Sequence, residues 1–159
     1  MGSSMPGATR NFITLATAVL PDTTSIYVGK IIPKYTNKIS LQVYEVEGQQ
    51  LWGPMSPEHK RDETFNIKCR LWSYIGDQDF LSRMKETFDA FDTITIAVAN
   101  DPTLTGIPGG DASAGGLLGT VRVATINDMV FSPEAAPNGK SFGMLTFDVA
   151  CQQRITTMS

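Results

Sequence analysis

Histidine and cysteine are scarce in this sequence, and their scarcity excludes several kinds of site. The chain of 159 residues has one histidine and two cysteines. The histidine, His59, lies beside Lys60 and Arg61 without a partner at the HxxxH spacing, and the sequence has no CxxC pair, so the usual ligands of a zinc site are missing. Cys69 and Cys151 each fall on the apolar face of a predicted strand, which indicates reduced thiols in the core rather than a disulfide.

Basic residues are also in short supply. Lysine and arginine together number 13 against 16 acidic residues, which gives a formal net charge of -3. A protein whose main affinity is for nucleic-acid phosphates needs a clustered excess of these cations. The composition therefore argues against a protein whose main affinity is for nucleic acid, and it leaves local basic patches open.

Long apolar runs are absent as well. No run approaches the roughly 20 apolar residues that a membrane-spanning helix needs. Residues 1–8 are small and polar and lack the apolar centre of a signal peptide. We expect a soluble protein with a flexible N-terminal arm over residues 1–8 and no membrane partner.

The motifs that would carry catalysis are incomplete. The tripeptide GKS at 139–141 ends like a phosphate-binding loop, but that motif requires glycine where Glu134 stands and opens a helix rather than a strand. In the GxSxG motif of hydrolases the nucleophilic serine lies two residues after a glycine. Ser113 lies three residues after Gly110, and no histidine follows it in the chain. The sequence predicts no catalytic residue, no metal site and no cofactor.

The best-defined unit of the chain runs from residue 62 to residue 102. It begins with a predicted strand whose apolar residues occupy every second position: Phe65, Ile67, Cys69 and Leu71. A long amphipathic helix follows, with Asp77 or Asp79 as its cap and Pro102 just beyond its end. Its apolar stripe comprises Phe80, Met84, Phe88, Phe91, Ile94 and Val98.

Shorter signals flank this unit. They predict a helix over residues 9–20 capped by Thr9, a strand over 25–29, a hairpin over 39–52 with its bend at Gly48, and strands over 117–131 and 142–155 joined by a turn. This order indicates a single α+β domain over residues 9–157, with a mixed or antiparallel sheet of about five strands covered by one long and one short helix. The predicted core comprises Phe65, Ile67, Leu71, Phe80, Met84, Phe88, Phe91, Phe147 and Val149.

The remaining features favour a protein that acts by contact. Residues 30–38 (KIIPKYTNK) cluster lysines on an acidic chain, and residues 106–116 have little apolar content with which to fold. We predict that both segments contact partners, with ordinary solvated loops as the alternative. Aromatic residues in polar segments are typical interface anchors, although each one also suits a sheet face. The candidate interface residues are Lys30, Lys34, Tyr35, Lys38, Trp52, Asp111 and Ser113.

The order of these signals resembles the tail terminator, or tail completion, proteins of long-tailed bacteriophages. The resemblance covers most of the chain, from the N-terminal helix and YVGK to the terminal FDVACQQRI strand. Its most specific pieces are Glu63-Thr64-Phe65 leading into Cys69, Trp72-Ser73-Tyr74 with the Gly76-Asp77 turn, and Asp101-Pro102-Thr103-Leu104. Residues 106–116 depart from the family pattern because the segment is longer.

The resemblance implies a structural virion protein and not an enzyme. Members of the family form a ring, usually a homohexamer, that caps the last tail-tube ring, stops tail growth and offers the joining surface to the head-tail connector. It also implies assembly in the bacterial host cytoplasm, a place at the head-proximal end of the tail, and a lumen through which DNA passes without specific binding. The alternatives are another virion ring protein, such as a connector or a tail-tube subunit, and a small hydrolase, which the missing site disfavours.

Overall fold

The strand and helix of the central unit form the middle of the fold. The computed structural model describes residues 5–29, 39–52, 60–74, 80–109, 121–135 and 141–156. In it, strand β3 spans Lys60–Tyr74 and helix α2 spans Phe80–Asn100. The helix ends where predicted, because the residue before Pro102 avoids helical dihedrals. The predicted caps Asp77 and Asp79 lie outside the described residues.

A mixed sheet of five strands is built around β3, with the order β1-β2-β3-β5-β4. The other elements are helix α1 (Met5–Val19) and strands β1 (Ser25–Val28), β2 (Ser40–Trp52), β4 (Val123–Ala135) and β5 (Ser141–Thr156). Strand β1 runs parallel to β2, and every other pairing is antiparallel. The predicted fold class is confirmed: the chain is a single α+β domain with both helices packed on the sheet.

One face of the sheet carries the core. Predicted core residues that are buried there are Phe65, Ile67, Leu71, Phe91, Phe147 and Val149. The ring of Phe91 on α2 packs edge-on against that of Phe147, with centroids 5.2 Å apart. Phe88 and Met84 were also predicted to be core residues, but their side chains are only half-buried. The side chain of Phe80 lies outside the described part of the chain.

Helix α1 begins earlier than predicted, at Met5 rather than at Thr9. Thr9 does not cap the helix, because its hydroxyl donates a hydrogen bond of 2.7 Å to the carbonyl oxygen of Met5, one turn earlier. Ala8 is buried in the core. Residues 5–8 of the predicted flexible arm therefore belong to the helix, and residues 1–4 lie outside the described range.

The predicted hairpin bend at Gly48 was also wrong. Strand β2 runs through this position, where Gly48 lies opposite Phe65 of β3. A Cβ atom on Gly48 would lie 2.5 Å from the Cβ of Phe65 and 2.6 Å from the terminal methyl of Met5. Glycine is required here because Phe65 and the Thr64 carbonyl oxygen of β3 leave no room for a Cβ atom. An isolated glycine is also typical of a turn, so the sequence alone does not separate the two cases.

Strand β4 was predicted over 117–131 and lies instead at Val123–Ala135. It continues through Pro133, which pairs in register with Gly143 of β5. Proline is tolerated at this point because β4 is a border strand and needs hydrogen bonds on one side only. Residues 132–135 of the predicted turn over 132–140 therefore belong to β4, and residues 136–140 lie outside the described residues.

Two β-bulges lie at the same level of the sheet. In β2 the register shifts between Val43 and Glu45, and in β4 it shifts between Asn127 and Val130. Both shifts fall beside the row in which Cys69 of β3 pairs with Phe147 of β5. Bulges bend a strand and increase its twist. Both β2 and β4 are therefore bent near the middle of their length, on either side of the central pair β3 and β5.

Candidate assembly surface

The sheet face that points away from the helices is polar. Strand β3 alternates between the buried side chains of Phe65 and Ile67 and the half-exposed side chains of Asn66 and Lys68, so the latter lie on this open face. Residues that share the open face at the centre of the sheet are Glu45, Glu47, Gln49, Thr64, Asn66, Lys68, Arg70, Val123, Thr125, Asn127, Val130, Thr146, Asp148, Ala150 and Gln152. The face has both signs of charge and few apolar groups.

Lys68 is the electrostatic centre of the open face. Its ammonium lies 2.9 Å from a carboxylate oxygen of Glu47 and 3.9 Å from one of Glu45. The hydrogen bond between Lys68 and Glu47 raises the pKa of the lysine and lowers the pKa of the glutamate. Partial burial raises the pKa of Asp148 on the next strand, and Lys68 opposes that shift. Exposed pairs of this kind add little stability, but they leave the face with a small net field.

Trp72 lies at one end of the open face and is fully buried. Its indole stacks on Tyr27 of β1, with ring centroids 5.9 Å apart and planes 17° from parallel. Met144 packs against the same indole, and Gln42 donates a hydrogen bond of 2.6 Å to the carbonyl oxygen of Gly29 beside it. Trp72 is thus an internal side chain that attaches β1 to the sheet.

Tyr44 occupies the bulge of β2 and does not pair in register with β3. The guanidinium carbon of Arg70 lies 4.0 Å from the centre of its ring. This cation–π contact fixes the side chain that the bulge displaces. Tyr44 therefore has a structural partner within the chain.

The sheet has two borders on opposite sides that no other described strand covers in full, although Ala124 on the second is hydrogen-bonded to Pro102. Strand β1 covers β2 only over Ser40–Val43, so residues 45–52 of β2 have one unpaired side within the described part of the chain. We call this the β2 border. On the other side, β4 pairs with β5 alone among the described strands, and we call its outer side the β4 border. Unpaired borders expose backbone N–H and C=O groups that can pair with another chain.

An apolar groove of about 470 Å³ lies next to the β2 border, between helix α1 and β2. Val46 forms its floor on the sheet, and α1 supplies Met5, Pro6, Thr9, Arg10, Ile13 and Thr14. The lining is mostly carbon, with Arg10 as its single charged residue. The β2 border thus combines unpaired backbone with apolar surface.

Exposed apolar side chains also mark the β4 border. Met129 and Val130, at the bulge, are 48% and 59% exposed. Asp128 adopts a left-handed conformation with φ of 57°, which aspartate tolerates better than most residues. The bulge therefore presents two apolar side chains to solvent instead of burying them.

Asp101 stabilises the start of the segment that connects α2 to β4. Its buried carboxylate accepts hydrogen bonds from the backbone N–H groups of Thr105 and Gly106, each of 3.0 Å, and from the Thr105 hydroxyl at 2.7 Å. Pro102 accepts a hydrogen bond of 2.7 Å from the backbone of Ala124 in β4. The Asp101-Pro102-Thr103-Leu104 motif is thus a structural joint between α2 and the β4 border.

Helix α1 is attached to the same joint. The side-chain amide of Asn11 donates a hydrogen bond of 2.9 Å to the carbonyl oxygen of Leu104, which is buried and has φ of 51°. Gly106 and Ile107, at the start of the segment 106–116, are therefore hydrogen-bonded within this joint, and residues 110–116 lie outside the described residues. The joint holds α1, α2 and β4 in one arrangement, and so it sets the two borders relative to each other.

The structure describes few of the candidate interface residues. Trp52 ends β2, where it pairs with Arg61, and so lies on the β2 border. Lys30, Lys34, Tyr35, Lys38, Asp111 and Ser113 lie outside the described residues, as does His59. Sequence reasoning missed both borders and the groove. No pattern in the sequence marks them, because they depend on which strands become neighbours in the sheet.

No protein-family model matches the chain, and no curated protein is significantly similar to it. Within the described ranges, no three histidine, cysteine or acidic side chains are grouped so that they could hold a metal ion. The described helices are also too short or too polar to cross a membrane.

Proposed function

We propose that the protein is a structural component of a bacteriophage virion: a homomeric ring that caps the tail tube, stops its growth and forms the joining surface for the head connector. The observation that supports this most directly is the pair of incompletely covered borders on opposite sides of one sheet. A closed ring needs two different, complementary patches on each subunit. The family resemblance adds the tail tube and the connector as the rings that it meets.

The polar open face suits a wall of the DNA channel. Its charges are paired around Lys68, and the whole chain is acidic. Tight binding to DNA needs clustered cations that neutralise phosphates. A face of this composition lets DNA pass without holding it.

The test is assembly of the purified protein, alone and with polymerising tail-tube subunits. Sedimentation and electron microscopy should show rings of one size, and the rings should attach to one end of growing tubes and stop elongation. Tubes formed by the protein alone would identify a tube subunit instead. Rings that bind connector but leave tube length unchanged would identify a connector component. A protein that remains monomeric under all of these conditions contradicts the proposal.

A further inference from the structure

The β2 border is open over residues 45–49, beyond the end of β1. The hydrogen bond at the end of β1 joins the backbone N–H of Gly29 to the carbonyl oxygen of Val43, at 2.7 Å. The border residues beyond the bulge are exposed or half-buried: Glu45, Val46, Glu47, Gly48 and Gln49. An additional strand can therefore lie beside these residues without meeting the described part of β1.

The backbone groups that point outward at this border belong to alternate residues. In an antiparallel pair, successive residues point their N–H and C=O groups alternately toward the partner strand and away from it. Val43 points away from β3, because it accepts the hydrogen bond from Gly29, and the bulge at Tyr44 shifts the alternation by one residue. The outward groups beyond the bulge are therefore those of Val46 and Gly48, and they offer donors and acceptors to an incoming strand.

The helix side of the border favours apolar side chains on that strand. Residues placed opposite Val46 and Gly48 direct their side chains to the same face of the sheet as Val46. The groove lies on this face, lined by Met5 and Ile13 of α1, with Val46 as its floor. An apolar side chain is stabilised there by leaving water, whereas a charged one would meet mostly carbon, with Arg10 as the single charged lining residue.

The open face of the same border favours positive charge. Glu45 and Glu47 have side chains 44% and 66% exposed, and both carboxylates share the single ammonium of Lys68. The border therefore has an excess of negative charge. Directly opposed side chains of paired strands lie within about 5 Å of each other at Cβ, so basic residues of an incoming strand are attracted here and acidic residues are repelled.

We infer that the β2 border binds an extended peptide segment of a partner protein by strand addition, antiparallel to β2, in which apolar side chains that face the groove alternate with basic side chains on the open face. In such sites the main-chain hydrogen bonds supply affinity, and the pockets for alternate side chains supply specificity. The antiparallel direction is the commoner pairing. The inference stands apart from the proposed ring, because a single subunit carries the whole site.

A synthetic peptide tests the pairing directly. The probe has blocked ends, a fluorescent label and the sequence Thr-Val-Lys-Val-Lys-Thr, and its binding to the purified protein is followed by fluorescence polarisation. With its valines opposite Val46 and Gly48, the valine N–H groups face β2 and the lysine N–H groups face away. N-methylation of both valines should abolish binding, and N-methylation of both lysines is the matched control that should preserve it. Equal binding of the two methylated peptides overturns the inference.

Charge exchange tests the open face. Glu47→Lys should weaken binding of the probe by about tenfold, because it replaces an attraction by a repulsion. The same variant should bind a peptide with glutamate in place of both lysines more tightly than the parent does. The control Asp92→Lys makes the same change of charge at an exposed position of α2 and should leave both affinities unchanged. Equal effects of Glu47→Lys and Asp92→Lys contradict the assigned site.

The groove is tested on the peptide, so that the fold of the protein is not altered. Threonine has nearly the shape of valine but adds a hydroxyl. Replacement of the valine that lies opposite Val46 by threonine should weaken binding by about tenfold, because the hydroxyl would be buried against carbon. Unchanged affinity would show that this side chain does not enter the groove.

Hydrogen exchange measured by mass spectrometry locates the bound peptide. The probe should slow exchange in residues 45–50 and leave residues 125–130 of β4 unchanged; slowing at β4 instead overturns the inference. Displacement of the probe as subunits associate would identify a second copy as the occupant and overturn it as well. Rings that bind no probe contradict this inference alone, and a protein that binds the probe but forms no ring contradicts the proposed function alone.

Discussion

The carboxylate of Asp101 satisfies three donors in a place that water does not reach. Replacement by alanine leaves the N–H groups of Thr105 and Gly106 and the Thr105 hydroxyl without their acceptor. Unsatisfied buried groups cost roughly 1–3 kcal/mol each, with partial relaxation, so Asp101→Ala should lower the free energy of unfolding by about 3 kcal/mol. Asp101→Asn keeps one oxygen acceptor and should cost about 1 kcal/mol.

Urea unfolding followed by circular dichroism measures both effects. The matched control is Asp92→Ala, which removes an exposed carboxylate from α2 and should change the free energy by less than about 0.5 kcal/mol. If Asp101→Ala costs no more than Asp92→Ala, the carboxylate does not hold the joint.

The two cysteines should make stability depend on alkaline pH. Burial raises the pKa of Cys69 well above 9.0 and that of Cys151 to about 12. Well below pH 9 both thiols are protonated in the folded and unfolded states, so the stability that depends on their protonation is fully present. As pH rises from 9 toward 12, the unfolded thiols ionise first, so the free energy of unfolding falls by up to about 1.4 kcal/mol per pH unit for each thiol.

The double variant Cys69→Ala, Cys151→Ala isolates this effect. Tyrosine and lysine titrate over the same range in both proteins, so the informative quantity is the difference in slope. The variant should lose stability less steeply above pH 9. Equal slopes would show that the thiols meet water in the folded protein.

Helix α2 contains a gradient of burial along its apolar stripe. Phe91 is 8% exposed and packs on Phe147, whereas Phe88 is half-buried and lies 5.5 Å from Phe131 between ring centroids. Phe91→Ala should cost roughly 3–5 kcal/mol in denaturant unfolding, as for a core aromatic residue. Phe88→Ala should cost about 1–3 kcal/mol. The reverse order would show that the stripe faces the core at a different angle.

Periodicity predicted the type of each element well and its limits less well. The period of two in β3 and of three to four in α2 comes from burial of one face, so it identified both elements and most of their core residues. The prediction at Gly48 was wrong because close packing against Phe65 of β3 and a turn both favour glycine. Helix α1 extends to Met5 because Ala8 packs in the core. Small residues such as alanine add little to a hydrophobic pattern, so the sequence did not predict this first turn. The borders could not be predicted, since they depend on which strands are neighbours.

At the scale of the molecule, the two segments predicted to make contacts give a separate prediction about assembly. Deletion of residues 112–115 should leave the thermal unfolding of the isolated subunit nearly unchanged while reducing ring formation or joining of tails to heads. Charge reversal at Lys30, Lys34 and Lys38 should act similarly, and its effect should depend on salt, because salt screens attraction between charges on two surfaces over roughly 10 Å at about 0.1 M ionic strength. Assembly of both variants like the parent would leave the borders as the main contacts.

The paired bulges have a consequence for the shape of the sheet. Strands β2 and β4 each carry one extra residue relative to their neighbours β3 and β5, at the same level. A surface whose sides are longer than its middle cannot be flat or a simple cylinder. It becomes a saddle, curved one way along the strands and the opposite way across them. The inner wall of the proposed ring is a saddle too, as on any torus, so removal of either bulge should flatten the sheet and change the number of copies that would close that ring.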